Sequence, residues 1–378
     1  MKHQLSTRVA AAVITGALAF TVAACGSDDN SSSSGSGGTK STATPAAKAK
    51  VGVILPDTAS SARWENADRP LLGEAFKAAG VDSDIQNANG DKAKFATIAD
   101  QMLNEGANVL LIVNLDSPSA AAVIAKAKQQ GVPVIDYDRL TLGGGASYYV
   151  SFDNVAVGTA QGEGLVKCMK ANGNDSGPVA LLNGSPTDNN ATLFKQGYEK
   201  AIKDAGYTIA ADQSVPDWDN TKAGTIFEQM YTKANGKFVG VDSANDGLGG
   251  AVASVLKRNG QTKDIPTTGQ DATDEGLQRV LLGSQCMTVY KAIKKEADAA
   301  SKLAIALAKG DTAAADALAT GQVEDTETKQ QVKSVLLTPQ AIFPENVKDV
   351  VADGFTTADK ICTSDALKKA CEANGVSG

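Results

Sequence analysis

The sequence predicts an α/β protein of two similar lobes, each a parallel sheet with helices on both faces. Three observations carry this expectation. Short β-branched runs alternate with stretches of helical period, the alternation starts afresh near residue 178, and 378 residues give room for two domains. In order, residues 50–56 (KVGVILP) read as a buried strand and 69–79 as a helix with apolar residues at 3.6-residue spacing. Residues 85–87 read as a second short strand, followed by a helix over 95–105. The run NVLLIVN at 108–114, a helix over 119–130 and the strand PVIDYD at 133–138 complete the first series, which residues 149–154 join to the second. The second series opens with the strand PVALLN at 178–183 and a helix over 191–205. A helix over 221–235, the strand FVGVD at 238–242, a helix over 249–259 and a strand at 266–270 follow.

Composition narrows the chemistry. Apolar residues make up 42% of the chain, enough for a packed core, and aromatics only 5%. With 36 Lys and Arg against 43 Asp and Glu, the net charge is −7. No basic surplus exists to neutralise nucleic-acid phosphates or to hold a polybasic segment on a membrane surface. The only histidine is His3, inside a segment expected to be removed. A mature chain without histidine is excluded from His-based acid–base and triad chemistry and lacks the commonest nitrogen ligand for metals. No cofactor or metal is expected. Asp271, Thr273, Glu275 and Gly276 imitate the start of a calcium loop, but Leu282 stands where its closing glutamate is required.

Residues 1–24 read as an export signal, with Lys2, His3 and Arg8 ahead of an apolar stretch and small residues before Cys25. The string VAAC at 22–25 resembles a bacterial lipobox, whose cysteine is diacylated and becomes the first mature residue; an ordinary signal peptide with an incidental Cys25 is the alternative. The apolar run is short of the ~20 residues of a membrane span. Residues 25–48, rich in Gly, Ser and Thr, are expected to be a flexible linker that tethers the folded part to the outer face of the cell membrane. Beyond Cys25, four cysteines outside the cytosol allow three pairings. The local pair Cys362 and Cys371 is favoured, which leaves Cys168 with Cys286; free buried thiols are the alternative.

In open parallel sheets, ligands bind at the carboxyl ends of the strands. The residues found there are Arg63 and Trp64 after the first strand, Asp138 and Arg139 after the fourth, and Asp188, Asn189 and Asn190 after the first of the second series. Trp218 (PDWDN), Asn245 (SANDG), Asp271 (GQDA) and Lys291 (TVYK) extend the set, which contains both tryptophans of the chain. Such a mixture describes a carbohydrate site: hydroxyls take planar, bidentate hydrogen bonds, and the C–H faces of a sugar pack on indole. Singly, each residue has an ordinary alternative. A tryptophan packs cores, Asp138 and Arg139 make an ion pair, Asn245 and Asp271 cap helices, the asparagines form turns and Lys291 is solvated. None of these roles predicts their coincidence at one edge of the fold.

The strings ARWEN, NANGD, DYDR, SFDN, GSPTDNN, GQDA and MTVYK, in this order and spacing, resemble the periplasmic sugar-binding proteins of ABC transporters, in the ribose/xylose branch of the type I fold, over residues 50–353. The resemblance implies two Rossmann-like lobes joined by a three-crossover hinge, with crossings near 151–154, 287–290 and 336–339. It implies an N-terminal lobe of 49–153 plus 290–327 and a C-terminal lobe of 154–289 plus 328–378. Arg63, Trp64, Asp138 and Arg139 would come from the first lobe, Asp188 or its neighbouring asparagines, Trp218, Asn245 and Asp271 from the second, and Lys291 from near a crossing. The implied activity is capture of one monosaccharide, D-xylose before ribose, arabinose or glucose, by a monomer that hands it to ABC permease subunits without turnover. The tail 354–378 and the Cys168/Cys286 pair have no counterpart in the pattern. A glycoside hydrolase using Asp138 and Asp271 is disfavoured, because Arg139 and Lys291 should keep both carboxylates ionised. A sugar-responsive repressor would need a basic N-terminal helix-turn-helix, which is missing. A receptor for a chemotaxis or sensor-kinase partner would present the same closed surface as an importer's, so the sequence leaves that alternative open.

Overall fold

Residues 49–377 are described by the structure, a computed structural model; the signal expected at 1–24, the acylation of Cys25 and the linker at 25–48 lie outside the described residues. In chain order, β1 (Lys50–Leu55), α1 (Arg69–Ala78), β2 (Asp82–Asn87), α2 (Lys92–Asn104), β3 (Val109–Ile112), α3 (Ser117–Gln129), β4 (Val134–Tyr137) and β5 (Tyr148–Phe152) build a first lobe. A second follows with α4 (Asn154–Ala171), β6 (Pro178–Asn183), α5 (Asn189–Asp204), β7 (Thr208–Ser214), α6 (Asn220–Lys233), β8 (Gly240–Ser243), α7 (Asp246–Arg258), α8 (Asp274–Leu282) and β9 (Thr288–Tyr290). The chain returns to the first lobe with α9 (Ile293–Ala308), α10 (Thr312–Leu318), β10 (Gly321–Glu324) and β11 (Gln331–Leu337). It ends in the second with β12 (Gln340–Ile342), α11 (Val347–Ala352), α12 (Ala358–Ile361) and α13 (Asp365–Ala373).

The first sheet has the order β10-β11-β5-β4-β3-β1-β2 and is parallel except for the β10–β11 hairpin. β3, β4 and β5 are buried at every residue, as central strands covered on both faces must be. One face packs Trp64, Leu72 and Phe76 with Ala300 and Leu303 of α9; the other packs Phe95, Met102 and Ile124. The second sheet, β7-β6-β8, is parallel and continues through a single bridge from Val241 to Thr267. Beyond that bridge, the Val289 amide donates to Gly269 O (3.1 Å) and the Asp271 amide to Val289 O (2.9 Å), so β9 lies alongside, with β12 antiparallel on its far side.

Three expectations need correction. Residues 266–270 are not a strand beyond that one bridge: Pro266 has no amide to give to a ladder, and Asp271 turns the chain away with φ of 97°. β7 was not anticipated, because TIAADQS lies largely exposed at a sheet edge, where apolar alternation is weak. The lobe boundary expected between 327 and 328 falls inside the β10–β11 turn. β11 belongs to the first sheet, where Leu336 pairs with Ser151 and covers what would otherwise be the free edge of β5. The chain thus passes between the sheets after Phe152, after Tyr290 and after Leu337.

Both expected disulfides are formed, with Cα atoms 6.4 Å apart for Cys168–Cys286 and 6.2 Å for Cys362–Cys371. The first ties α4 to the segment before β9, and the second staples α12 to α13. The tail is anchored on the second lobe: the Gln278 amide donates to the carbonyls of Lys360 (3.1 Å) and Ile361 (3.2 Å), and the Tyr290 hydroxyl to Asp353 (2.7 Å). No helix among the described residues is long and apolar enough to cross a membrane.

Helices α4 and α5 cross backbone to backbone. A Cβ added at Gly158 would lie 1.9 Å from the Phe194 carbonyl oxygen, and one at Gly197 would lie 2.3 Å from that of Val155. Because main-chain atoms cannot swing aside, Gly158→Ala is expected to cost about 1–3 kcal/mol by overpacking. The readout is a lower urea midpoint at unchanged slope; an unchanged midpoint would mean that the helices part freely.

Candidate functional site

Contacts between residues that follow β4 and residues that follow β6 bring the carboxyl edges of the two sheets face to face. On the first lobe, Arg63 precedes a single π-helical turn, Trp64–Asp68. Its buried guanidinium donates to both oxygens of Asp68 (2.8 and 2.7 Å), to Glu296 (2.7 Å) and to Asp138 (2.9 Å). Burial opposes this charge, but Asp68, Glu296 and Asp138 more than compensate and push the Arg63 pKa up. The guanidinium carbon lies 4.3 Å from the Trp64 ring centre, and Trp64 Nε1 donates to Ser60 Oγ at 3.2 Å. Asp138 follows β4 with φ of 64°, an uncommon conformation for a residue with a side chain and one that functional sites often hold. Burial alone would raise its pKa, yet Lys291, Arg63 and Arg139 outweigh it and hold the carboxylate below its usual range. Arg139 Nη1 donates to Asn114 O at 3.1 Å.

On the second lobe, Asp188 caps α5 by accepting from the Asn190 amide (2.9 Å) and also accepts from Trp218 Nε1 (3.1 Å). Asn245 caps α7 through the Leu248 amide at 2.9 Å, so its capping role and its place at the site coexist. Trp218, with φ of 55°, lies against Gly184, where a Cβ would sit 2.0 Å from the indole. Asp271 does not cap a helix; it accepts from Gln270 Nε2 at 2.9 Å. Lys291 lies between β9 and α9, its ammonium 3.4 Å from Asp138 Oδ2 and 3.9 Å from Asp271 Oδ1. Nearby cations thus lower the pKa of Asp138, whereas at Asp271 the shift runs the other way. There burial prevails and pushes the pKa up, with Lys291 and Arg63 offsetting only part.

Contacts from Asn190 and Arg139 are among those that span the lobes. Asn190 Nδ2 donates to the Asp138 carbonyl (2.9 Å) and carboxylate (3.0 Å) while its Oδ1 accepts from Asn154 Nδ2 (2.9 Å). Arg139 Nε stands 3.0 Å from Asp188 Oδ2, an ion pair without hydrogen-bond alignment. Between them lies a polar cavity of about 30 Å³. Arg63, Trp64, Asp138, Arg139, Asp188, Asn190, Trp218, Asn245, Asp271 and Lys291 all line it, with Ser60, Ser61, Phe194 and Gln270. Asn189 does not. As the first residue of α5 it is turned about 100° around the helix from Asn190, and only Asn190 meets the cavity.

Sequence reasoning missed Asp68 and Glu296, the two carboxylates behind Arg63. Asp68 had a local signal, five residues after the arginine in the same helical turn; Glu296, 233 residues away on α9, had none. Burial pushes the Glu296 pKa up, with Arg63 offsetting part, and its Oε1 has no hydrogen-bond partner among the described residues. No group of three or more His, Cys, Asp or Glu among the described residues is arranged to hold a metal ion. The cavity cations Arg63, Arg139 and Lys291 are each matched by carboxylates, so little charge is left over for an ionic ligand. Donors, acceptors and two indoles remain, which suits a neutral, hydroxyl-rich ring.

Two parallel-sheet lobes joined by three crossings, with a polar, indole-walled cavity between them, define a cleft-type binding protein. Residues 51–312 match the periplasmic binding protein domain family, and the chain belongs to that family. The D-xylose-binding periplasmic protein of Escherichia coli is 33% identical over 315 residues, which cover 82% of this chain and 92% of that protein. A multiple sugar-binding periplasmic protein of Azospirillum brasilense is 31% identical over 334 residues, covering 82% and 90%. A carbohydrate transporter solute-binding protein of Chloroflexus aurantiacus, solved in complex with D-glucose, superposes with a TM-score of 0.73 at 27% identity, covering 82% of this chain and 97% of that one.

Proposed function

We propose that this chain is an extracytoplasmic receptor that closes its two lobes on one monosaccharide, D-xylose before other sugars, and delivers it to an ABC importer. The observation that carries the reading is the charge-balanced cavity lined by both tryptophans of the chain. The xylose-binding relative supports the choice of sugar, while the multiple-sugar and glucose-bound relatives make glucose the first competitor to test.

Each lobe holds half of the polar groups, so neither half binds well alone. Sugar seated on one lobe recruits the other, and closure pairs its hydroxyls with Asp138, Arg139, Asn245 and Asp271 while the indoles of Trp64 and Trp218 cover its apolar faces. A hydroxyl of the wrong configuration leaves a buried polar group unmatched, at a cost of ~1–3 kcal/mol, which rejects epimers. The permease reads a surface that exists only in the closed form, so sugar shifts the population by differential affinity. A lipid on Cys25 and the linker hold this monomer at the outer membrane face, and no turnover accompanies binding.

Titrating the Cys25→Ser protein with D-xylose, ribose, arabinose, glucose and galactose under tryptophan fluorescence tests this directly, since both fluorophores line the cavity. A saturable response to xylose alone is expected. A response to another sugar keeps the receptor and corrects the ligand; silence to all five, in folded protein, overturns the reading. Trp218→Ala is expected to abolish tight binding while far-ultraviolet circular dichroism stays that of a folded chain, and unchanged affinity would remove Trp218 from the site.

A further inference from the structure

Gln270 enters the cavity wall immediately before Asp271 and is only 3% exposed. Its main chain is held within the second lobe. The Gln270 carbonyl accepts from the Asp246 amide (2.9 Å), and the residues on either side pair with β9 through Gly269 O and the Asp271 amide. The side chain is fixed as well, because Nε2 donates to Asp271 Oδ1 at 2.9 Å. Turning the amide over would set Oε1 against a carboxylate oxygen, two acceptors with no proton between them. Nε2 therefore stays on Asp271, and Oε1 points away from it.

That oxygen is buried and has no hydrogen-bond partner among the described residues. Among them a few other buried side-chain oxygens share this condition, but Gln270 alone of their residues lines the cavity. A buried acceptor without a donor is destabilising, and folded proteins keep few of them. A hydroxyl presented from the cavity supplies the missing donor. Asp271 beside it is a second acceptor, which takes Gln270 Nε2 and the Ser61 hydroxyl, and Lys291 Nζ stands 3.9 Å from its carboxylate. Two adjacent acceptors with an ammonium close by suit neighbouring hydroxyls on one ring, each of which can donate and accept. Gln270 and Asp271 are consecutive on one lobe, so the pair is set before the lobes close.

We infer that Gln270 is a sugar-contacting residue whose Oε1 accepts from one hydroxyl of the ring, next to a hydroxyl held by Asp271. This rests on the receptor reading above and adds to that site a contact that discriminates by hydroxyl position. Calorimetric titration of wild type, Gln270→Met and Gln270→Leu tests it. The ligands are D-xylose, D-glucose and, for whichever binds the tighter, the analogues that each lack one of its hydroxyls. The first substitution keeps the length of the side chain, and the second stands in should the first not fold. Either variant should bind the parent sugar at least about tenfold more weakly than wild type does. The analogue missing the hydroxyl that Oε1 accepts from should lose far less, because one partner of that bond is already gone. Parent affinity within about twofold of wild type in the variants overturns the contact. Equal losses for the parent and every analogue overturn it too, since a residue that only supports the site weakens all ligands in the same proportion. Silence of wild type to both sugars overturns the receptor reading and this inference with it.

Discussion

Asp138→Asn is expected to weaken sugar binding by about thirtyfold or more, because truncating one partner of a buried charge pair costs ~2–5 kcal/mol, much of it from the charge left behind. Asp138 accepts from Arg63 at 2.9 Å and from Lys291 at 3.4 Å. The amide has the same shape, and the Asn190 bond to the backbone carbonyl of residue 138 survives it, so the lobes still meet. What disappears is the counter-charge, which leaves Lys291 with only Asp271 at 3.9 Å. Stability should fall as well, by ~3–5 kcal/mol for a broken buried pair. The sign with pH follows from the lowered pKa of Asp138, which Lys291, Arg63 and Arg139 bring about against burial. Its stabilisation is present above the unfolded aspartate pKa of ~3.9 and is lost as pH falls through the folded value, so wild type and variant converge in acid. Calorimetry with xylose and urea unfolding at pH 7 check both parts. Wild-type affinity in the variant would place the ligand away from Asp138.

The contrast between Asp138 and Glu296 shows what a sequence can reveal about such a site. Asp138, Asp188 and Asn245 follow strand runs that are readable from apolar residues alone, and the strand-end rule then picks them out. The tryptophans stand out by rarity. Glu296 and Asp68 lie on helical turns, where a carboxylate is ordinary, and only the folded chain carries Glu296 to Arg63. Asn189 failed for a finer reason, since one helical step separates it from the residue that meets the cavity. The misplaced lobe boundary has a local cause. The polar string DTETKQ at 325–330, inside which the boundary was placed, is a hairpin turn organised by Asp325, whose carboxylate accepts from the amides of Gly143 and Glu327 and the hydroxyl of Thr328. Alternation of strands and helices thus carries the topology, while side-chain partners brought together across long sequence separation stay hidden.

Asp242→Asn is expected to make the protein more stable at neutral and alkaline pH, by an amount that grows from pH 4 to pH 8. Asp242, on β8, is fully buried, and neither carboxylate oxygen has a hydrogen-bond partner among the described residues. Burial pushes its pKa up to about 8, and the nearby Thr268 hydroxyl offsets only part of that. In the unfolded chain an aspartate titrates near ~3.9. Across the window between the two values the folded state keeps a proton that the unfolded state releases. Stability therefore falls as pH rises, by up to ~1.4 kcal/mol per unit from this group. Asparagine has the shape of the protonated acid and never ionises. The variant should match wild type near pH 4 and exceed it by several kcal/mol, on the order of 3–5, at pH 8. Asp136, raised to about 7, and Asp246, raised to about 6, contribute with the same sign and remain in the variant, so the slope shrinks without vanishing. Urea unfolding at pH 4.5, 6 and 8 measures the difference. Sugar affinity serves as the control, because Asp242 does not line the cavity. Parallel stability curves for the two proteins would mean that Asp242 is ionised in the fold and finds a partner there.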